Sequence, residues 1–234
     1  MWNFGNWGNL GSWGHFGQLI DMRKNWGNFG GLWGSTGQQP TAPAPTPVSP
    51  DREPVINQYE AYAKVCEKIL ADIPSYDLGT SNLTTALNGR KGNCCTISMY
   101  SKIACDLLGI PCDIIFAVAG TGLDMHIWNR VILDGKKYWS DITMTQMARE
   151  QGQGWGEWQK FFDQPSDLQK HYDSFFILGI DGSIKKLDWL DLESGCSNAG
   201  WSIAASMTAQ IVQSEYVACK DRVYQALKEI GVIG

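Results

Sequence analysis

The stretch Gly92-Asn93-Cys94-Cys95-Thr96-Ile97-Ser98-Met99-Tyr100, running on to Gly109-Ile110-Pro111, reads as a helix with a thiol at its first turn. Ile97, Tyr100, Ala104, Leu107 and Leu108 recur at helical spacing. Gly109 is suited to the left-handed residue that ends a helix, and Pro111 cannot continue one. Asn93 is a good N-cap. A helix start favours negative charge, so a cysteine placed there is helped towards the nucleophilic thiolate. Cys94 is therefore the candidate nucleophile. Cys95 is the alternative, although a small buried residue one position into the helix accounts for it equally simply. Gly92 is expected to let backbone and substrate approach closely. The backbone N–H groups of this turn, those of Cys94 or Cys95 included, are candidates to hold an oxyanion.

Three strands are expected after the helix, over Cys112–Ala119, His126–Leu133 and Lys137–Ile142. The last two flank Asp134-Gly135, a strong signal for a tight hairpin turn. His126 opens the second strand, with Trp128 on the same face by alternation. In a hairpin the start of one strand lies beside the end of its partner, so Asp141 can reach the imidazole of His126 and fix its tautomer. Cys94, His126 and Asp141 together make a nucleophile, a base and an orienting carboxylate. A satisfied core histidine is the plainer reading of His126, and a strand-end turn residue that of Asp141. Asp124 and Asp134 stand as fallback carboxylates. His15 and His171, the other two histidines, lie in polar or low-complexity sequence and read as solvated. An exposed Asp141 would contribute under about 1 kcal/mol to stability.

In this order the motifs resemble those of the transglutaminase-like superfamily, the papain-like group of thiol enzymes. Gly92-Asn93-Cys94 opens the helix and Gly109-Ile110-Pro111 closes it. His126-Ile127-Trp128-Asn129 begins one strand, and Tyr138-Trp139-Ser140-Asp141-Ile142-Thr143 ends the next. The likeness is clear over 88–143 and looser over 55–190. The family usually carries Pro after the aspartate, where this chain has Ile142. The resemblance implies an α+β fold, with the nucleophile helix packed on an antiparallel sheet, and acyl transfer through a thioester on Cys94. It leans towards hydrolysis of amide bonds in protein or peptide substrates, as by a cysteine protease or amidase. A protein-crosslinking transglutaminase is the alternative. No metal or organic cofactor is required, and no calcium-loop or phosphate-loop pattern occurs.

Upstream, Val55, Tyr59, Tyr62, Cys66, Ile69, Leu70 and Ile73 mark a helix ended near Pro74, followed by a turn-rich stretch to Gly92. Residues 35–54 carry six prolines and read as an extended linker. In residues 1–34 an aromatic or leucine precedes glycine every third residue, as in Phe4-Gly5, Trp7-Gly8 and Leu10-Gly11. That period suits neither helix nor strand, so a mobile low-complexity tail is expected. Such a tail is either a sticky surface for partners or self-association, or a segment without a specific partner. A surface-binding or assembly protein with a secondary thiol domain is accordingly a second functional reading. Downstream, 143–172 reads as irregular or partly helical, with Trp155 and Trp158. Phe175–Ile180 and Ser183–Leu187 read as a hairpin, and 203–231 as one or two helices. The domains expected are thus a tail (1–34), a linker (35–54), a catalytic domain (55–190) and a C-terminal helical segment packed on it (191–234).

The 234 residues carry 19 basic and 24 acidic side chains, a net charge of −5. An acidic chain without a basic run gives no support to nucleic-acid binding. No apolar run is long enough for a membrane span. The start lacks the features of a Sec signal peptide, so the cytoplasm is preferred over non-classical export as the location. Seven cysteines without a CxxC pair argue against a zinc ribbon and read mainly as buried thiols.

Overall fold

The computed structural model describes residues 57–118, 125–150, 172, 174–187 and 199–234, the last segment without the side chains of 199–203. The tail, the linker, His15, His171, Asp124, Cys196, Trp155 and Trp158 lie outside the described residues.

Helix α1 (Gln58–Asp72) buries Ala61, Tyr62, Val65, Cys66, Ile69 and Leu70, one face at intervals of three and four. Asn57 caps it by accepting from the Tyr59 amide. Two-residue strand β1 (Ser75–Tyr76) and helix α2 (Leu83–Gly89) follow, then β2 (Lys91–Gly92), which pairs in parallel with β1. The stretch read as turn-rich therefore holds three short elements. Helix α3 (Cys94–Leu108) is closed by Gly109 at φ 69°. Strands β3 (Cys112–Val118), β4 (Met125–Leu133) and β5 (Lys136–Ser140) come next, followed by helix α4 (Ile142–Glu150). Strands β6 (Ser174–Leu178) and β7 (Ile184–Lys186) pair antiparallel. The single helix α5 (Ala199–Glu229) covers the region expected to hold one or two.

The other five strands form an antiparallel sheet in the order β5-β4-β3-β6-β7. Asp134 and Gly135 both have positive φ, 50° and 79°, as a two-residue type I′ turn requires. That turn pairs Leu133 with Lys136 and sets the register down to Asn129 opposite Ser140. Strand β5 stops at Ser140, short of the expected Ile142, because Asp141 starts a helix there.

Strand alternation splits the sheet's side chains between two cores. Ile114, Phe116, Val118, Ile127, Val131, Leu133, Phe176 and Leu178 join α1, α3 and α5 in the larger one. Ile115, Ala117, Trp128, Trp139 and Phe175 gather with Tyr172 in the smaller. Each fully buried side chain of this size contributes about 1.5–3 kcal/mol. Polar ties fix how the helices seat. The Tyr62 hydroxyl bonds Ser140 Oγ at 2.8 Å and Ser101 Oγ at 3.0 Å, joining α1 to β5 and α3. Ser98 Oγ donates to the Ile127 carbonyl, and Asn129 Nδ2 donates back to the Ser98 carbonyl, which locks α3 along β4. Glu215 of α5, 6% exposed, accepts from the Thr84 amide and hydroxyl and from Asn82, pinning the start of α2. The C-terminal helix thus shares the main core through Ala205, Ala209, Val212, Cys219, Val223 and Leu227.

Candidate active site

The N-terminus of α3 is built by Asn93. Its Oδ1 accepts from the amides of Cys95 (3.0 Å) and Thr96 (3.3 Å), while its Nδ2 donates to Leu78 O and Ser81 Oγ. The cap therefore rests on the loop before α2 and holds the helix start in one orientation. It also consumes the Cys95 amide, which is not available to an oxyanion as the sequence had suggested. The Cys94 amide is not among the cap's donors.

Gly92 has a packing role. A Cβ there would run into Thr96 Oγ1 and lie 3.0 Å from Ala86 Cβ, so the absent side chain lets α2 and the first turn of α3 close on each other.

His126 sits at the start of β4, with Nε2 2.5 Å from Asp141 Oδ2. The ring lies beside Trp128 (centroids 5.6 Å apart, 33°) and stacks on Tyr172 (6.4 Å, 20°). Burial alone would lower the His126 pKa. The Asp141 carboxylate, by charge and hydrogen bond, and then Cys94 outweigh it and carry the imidazole well above its ordinary value. His126 and Cys94 are each only 4% exposed, so these electrostatic couplings act with little water between them.

Asp141 occupies the junction of β5 and α4 and does two jobs. Oδ2 holds the imidazole, and Oδ1 accepts the Met144 amide at 3.3 Å, capping α4. Its side chain is 13% exposed, which corrects the expectation of an exposed strand-end carboxylate. Ile142 stands at the first helical position, where a proline is also well tolerated, so the departure from the family pattern leaves the helix start intact. Asp134 is at the opposite end of the hairpin, with its amide bonded to Gln58 Oε1.

The structure thus brings Cys94, His126 and Asp141 together and leaves Asp134 remote. Cys95 is different from its neighbour. Burial first, then the charges of Cys94 and Glu215, push its thiol far above the ordinary range. All six described cysteines are free and buried. Among the described residues no cluster of His, Cys, Asp and Glu is arranged to hold a metal ion, and no helix is long and apolar enough to cross a membrane.

Residues 47–144, which include Cys94, His126 and Asp141, match the family model of the transglutaminase-like superfamily. The fold is transglutaminase-like. A solved structure described as that of a TGase is similar at 15% identity, over 54% of this chain and 38% of that one, with a TM-score of 0.27. No curated protein matches the chain.

One further residue near the start of α3 escaped the sequence reading. Tyr76 on β1 pairs with Gly92, two residues before Cys94, and its amide donates to Glu150 of α4. Its hydroxyl is buried without a hydrogen-bond partner among the described residues. Nothing in a Ser-Tyr dipeptide inside a turn-rich stretch signals this; the pairing of β1 with β2 creates it.

Proposed function

We propose that the chain is a thiol-dependent acyl-transfer enzyme acting on protein or peptide amide bonds, with hydrolysis as its outcome. The observation that supports this most is the placing of His126 between a helix-start thiol, Cys94, and a carboxylate that holds its Nε2, Asp141. With Nε2 engaged by Asp141, Nδ1 is the ring nitrogen left to serve the thiol. The pair then works as thiolate and imidazolium. Sγ of Cys94 attacks the amide carbon, and the carbonyl oxygen takes up the electron pair. Collapse expels the amine, which leaves with the proton from His126. The neutral imidazole next removes a proton from water, which attacks the thioester and frees the acid and the thiol. An amine in place of water would give a crosslink instead.

Peptide mapping after limiting iodoacetamide at neutral pH tests the site, with Cys94 expected to be alkylated first. Labelling of Cys95 first would move the assignment by one residue, and labelling of neither would remove it. A glutamine-containing peptide offered with and without a primary alkylamine tests the outcome. Hydrolysis, read as peptide cleavage or ammonia release, without amine incorporation is expected; incorporation would make the enzyme a crosslinker.

A further inference from the structure

The transition state of the proposed reaction places a negative charge on the former carbonyl oxygen, and a site of this kind needs donors aimed at it. The helix start supplies fewer than its geometry suggests, since Asn93 consumes the amides of Cys95 and Thr96. Another donor is carried by the strand paired with β2. Strand β1 is held against β2 by the pairing Tyr76 with Gly92 and by the Asp77 amide on the Gly92 carbonyl at 3.0 Å. On its other side it is tied to α4, the helix that Asp141 caps, through the Tyr76 amide and Glu150. Tyr76 is therefore fixed by its backbone between β2, the strand that leads into the helix of Cys94, and α4, the helix that follows Asp141. Its hydroxyl is buried and has no acceptor among the described residues. A buried hydroxyl without a partner is unfavourable, since its lost hydration is not replaced. Such a cost is understandable at a site whose acceptor arrives with the substrate.

We propose that Tyr76 is a catalytic hydrogen-bond donor: its hydroxyl donates to the carbonyl oxygen of the bound substrate and to the oxyanion formed when Cys94 attacks. The inference rests on the acyl-transfer reading above. During attack the Sγ–C bond forms and the carbonyl electron pair moves to oxygen. The Tyr76 proton stays on the phenol throughout and bridges to that oxygen. When the tetrahedral intermediate collapses, the pair returns and the C–N bond breaks, with the amine protonated by His126. Burial, and after it the charges of Cys94, Asp141 and Asp77, hold the phenol far above its ordinary pKa, so the group remains a donor at any working pH.

Tyr76→Phe in the full chain tests this with two reagents that differ in one respect. Acylation of Cys94 by 4-nitrophenyl acetate passes through an oxyanion, whereas alkylation by iodoacetamide does not. The expected result is a fall in the acylation rate of roughly 10²-fold, the scale for loss of one oxyanion donor, with alkylation of Cys94 within about two-fold of the wild type. Unchanged acylation would overturn the proposal. So would an equal fall in both rates, because Tyr76 would then act on the thiol itself. Unaltered alkylation also reports that the variant is folded. If the wild type reacts with neither reagent at Cys94, the acyl-transfer reading fails rather than the role of Tyr76.

Discussion

Asp141 holds His126 by one carboxylate oxygen and the next helix by the other: Oδ2 lies 2.5 Å from Nε2, and Oδ1 accepts the Met144 amide. The orienting group is thereby oriented itself, since α4 cannot shift without moving the carboxylate. Its two roles are separable by substitution. Asp141→Asn keeps a capping oxygen, because asparagine caps as well as aspartate. It loses the charge and allows the wrong tautomer of His126 to be held, so turnover should fall by roughly 10- to 10⁴-fold. Stability should fall by about 1–3 kcal/mol, more than an exposed carboxylate would contribute. Asp141→Ala also loses the cap and should cost about a further 1 kcal/mol. Asp134→Asn, in a turn where Asn tolerates positive φ, should leave turnover intact and change stability by under about 0.5 kcal/mol. Urea unfolding and steady-state kinetics on the three variants check this. Equal stability of Asp141→Asn and Asp141→Ala would remove the capping role.

The titration of His126 should follow its neighbours. Burial lowers its pKa while Asp141 and then Cys94 raise it, with a net rise. The midpoint of its imidazole NMR resonance is expected above the ordinary value of about 6.5 and should move down in Asp141→Asn. The sign for stability follows from linkage. Because the folded-state pKa is raised, the stabilisation is fully present below the unfolded value and is lost as pH rises through the folded one. The stability gap between wild type and Asp141→Asn should therefore narrow from about pH 6.5 upwards. The other buried thiols are common to both proteins and drop out of the difference. A gap that widens with pH would contradict the assigned shift.

What could be read from the sequence was local. The cap at Asn93, the periodicity from Ile97 to Leu108 and the stop at Gly109 all act within a turn or two of helix, so they are visible in a short window. The Asp134-Gly135 turn likewise carries its own register. Missed features depend on contacts between distant segments. Helix α2 is seven residues long, too short for periodicity to reveal, and Glu215 pins its first turn from more than 130 residues away. Strand β1 exists only because Gly92 pairs with Tyr76. The neighbouring of β3 and β6 is also set by packing across an intervening stretch of more than 50 residues. Asp141 could be placed near His126 from the hairpin alone, but its capping of α4 was hidden by reading Ile142 as strand.

Removing the cap of α3 should loosen the nucleophile. Asn93→Ala takes away the acceptor for two amides and the donor to Leu78 and Ser81. A loss of about 1–2 kcal/mol is expected. The first turn should fray and carry Cys94 away from His126, so iodoacetamide alkylation of Cys94 should slow several-fold. Asn93→Ser, which can still cap, should recover most of the stability. Fast alkylation in a destabilised Asn93→Ala would show that the helix start does not position the thiol.

Gly92 offers a test of packing at the same turn. Its φ does not require glycine, so conformational freedom is not the reason for it. The constraint is space: an added Cβ would meet Thr96 Oγ1, itself bonded to the Asn93 carbonyl at 2.8 Å, and would press on Ala86 Cβ at 3.0 Å. Both neighbours are fully buried, so neither can swing out into solvent. Gly92→Ala is therefore expected to destabilise by about 1–3 kcal/mol, the range for overpacking a close-packed interior. The clash with Thr96 is the tighter one, so the double variant Gly92→Ala with Thr96→Ala should recover part of the loss relative to the sum of the single changes. The contact with Ala86 persists and keeps recovery incomplete. Denaturant unfolding of the two single variants and the double variant forms a complete cycle. A coupling energy near zero would mean that the first turn of α3 adjusts independently of Thr96. Full additivity would then place the cost of the alanine wholly on the α2 side of the glycine, where Ala86→Gly should relieve it.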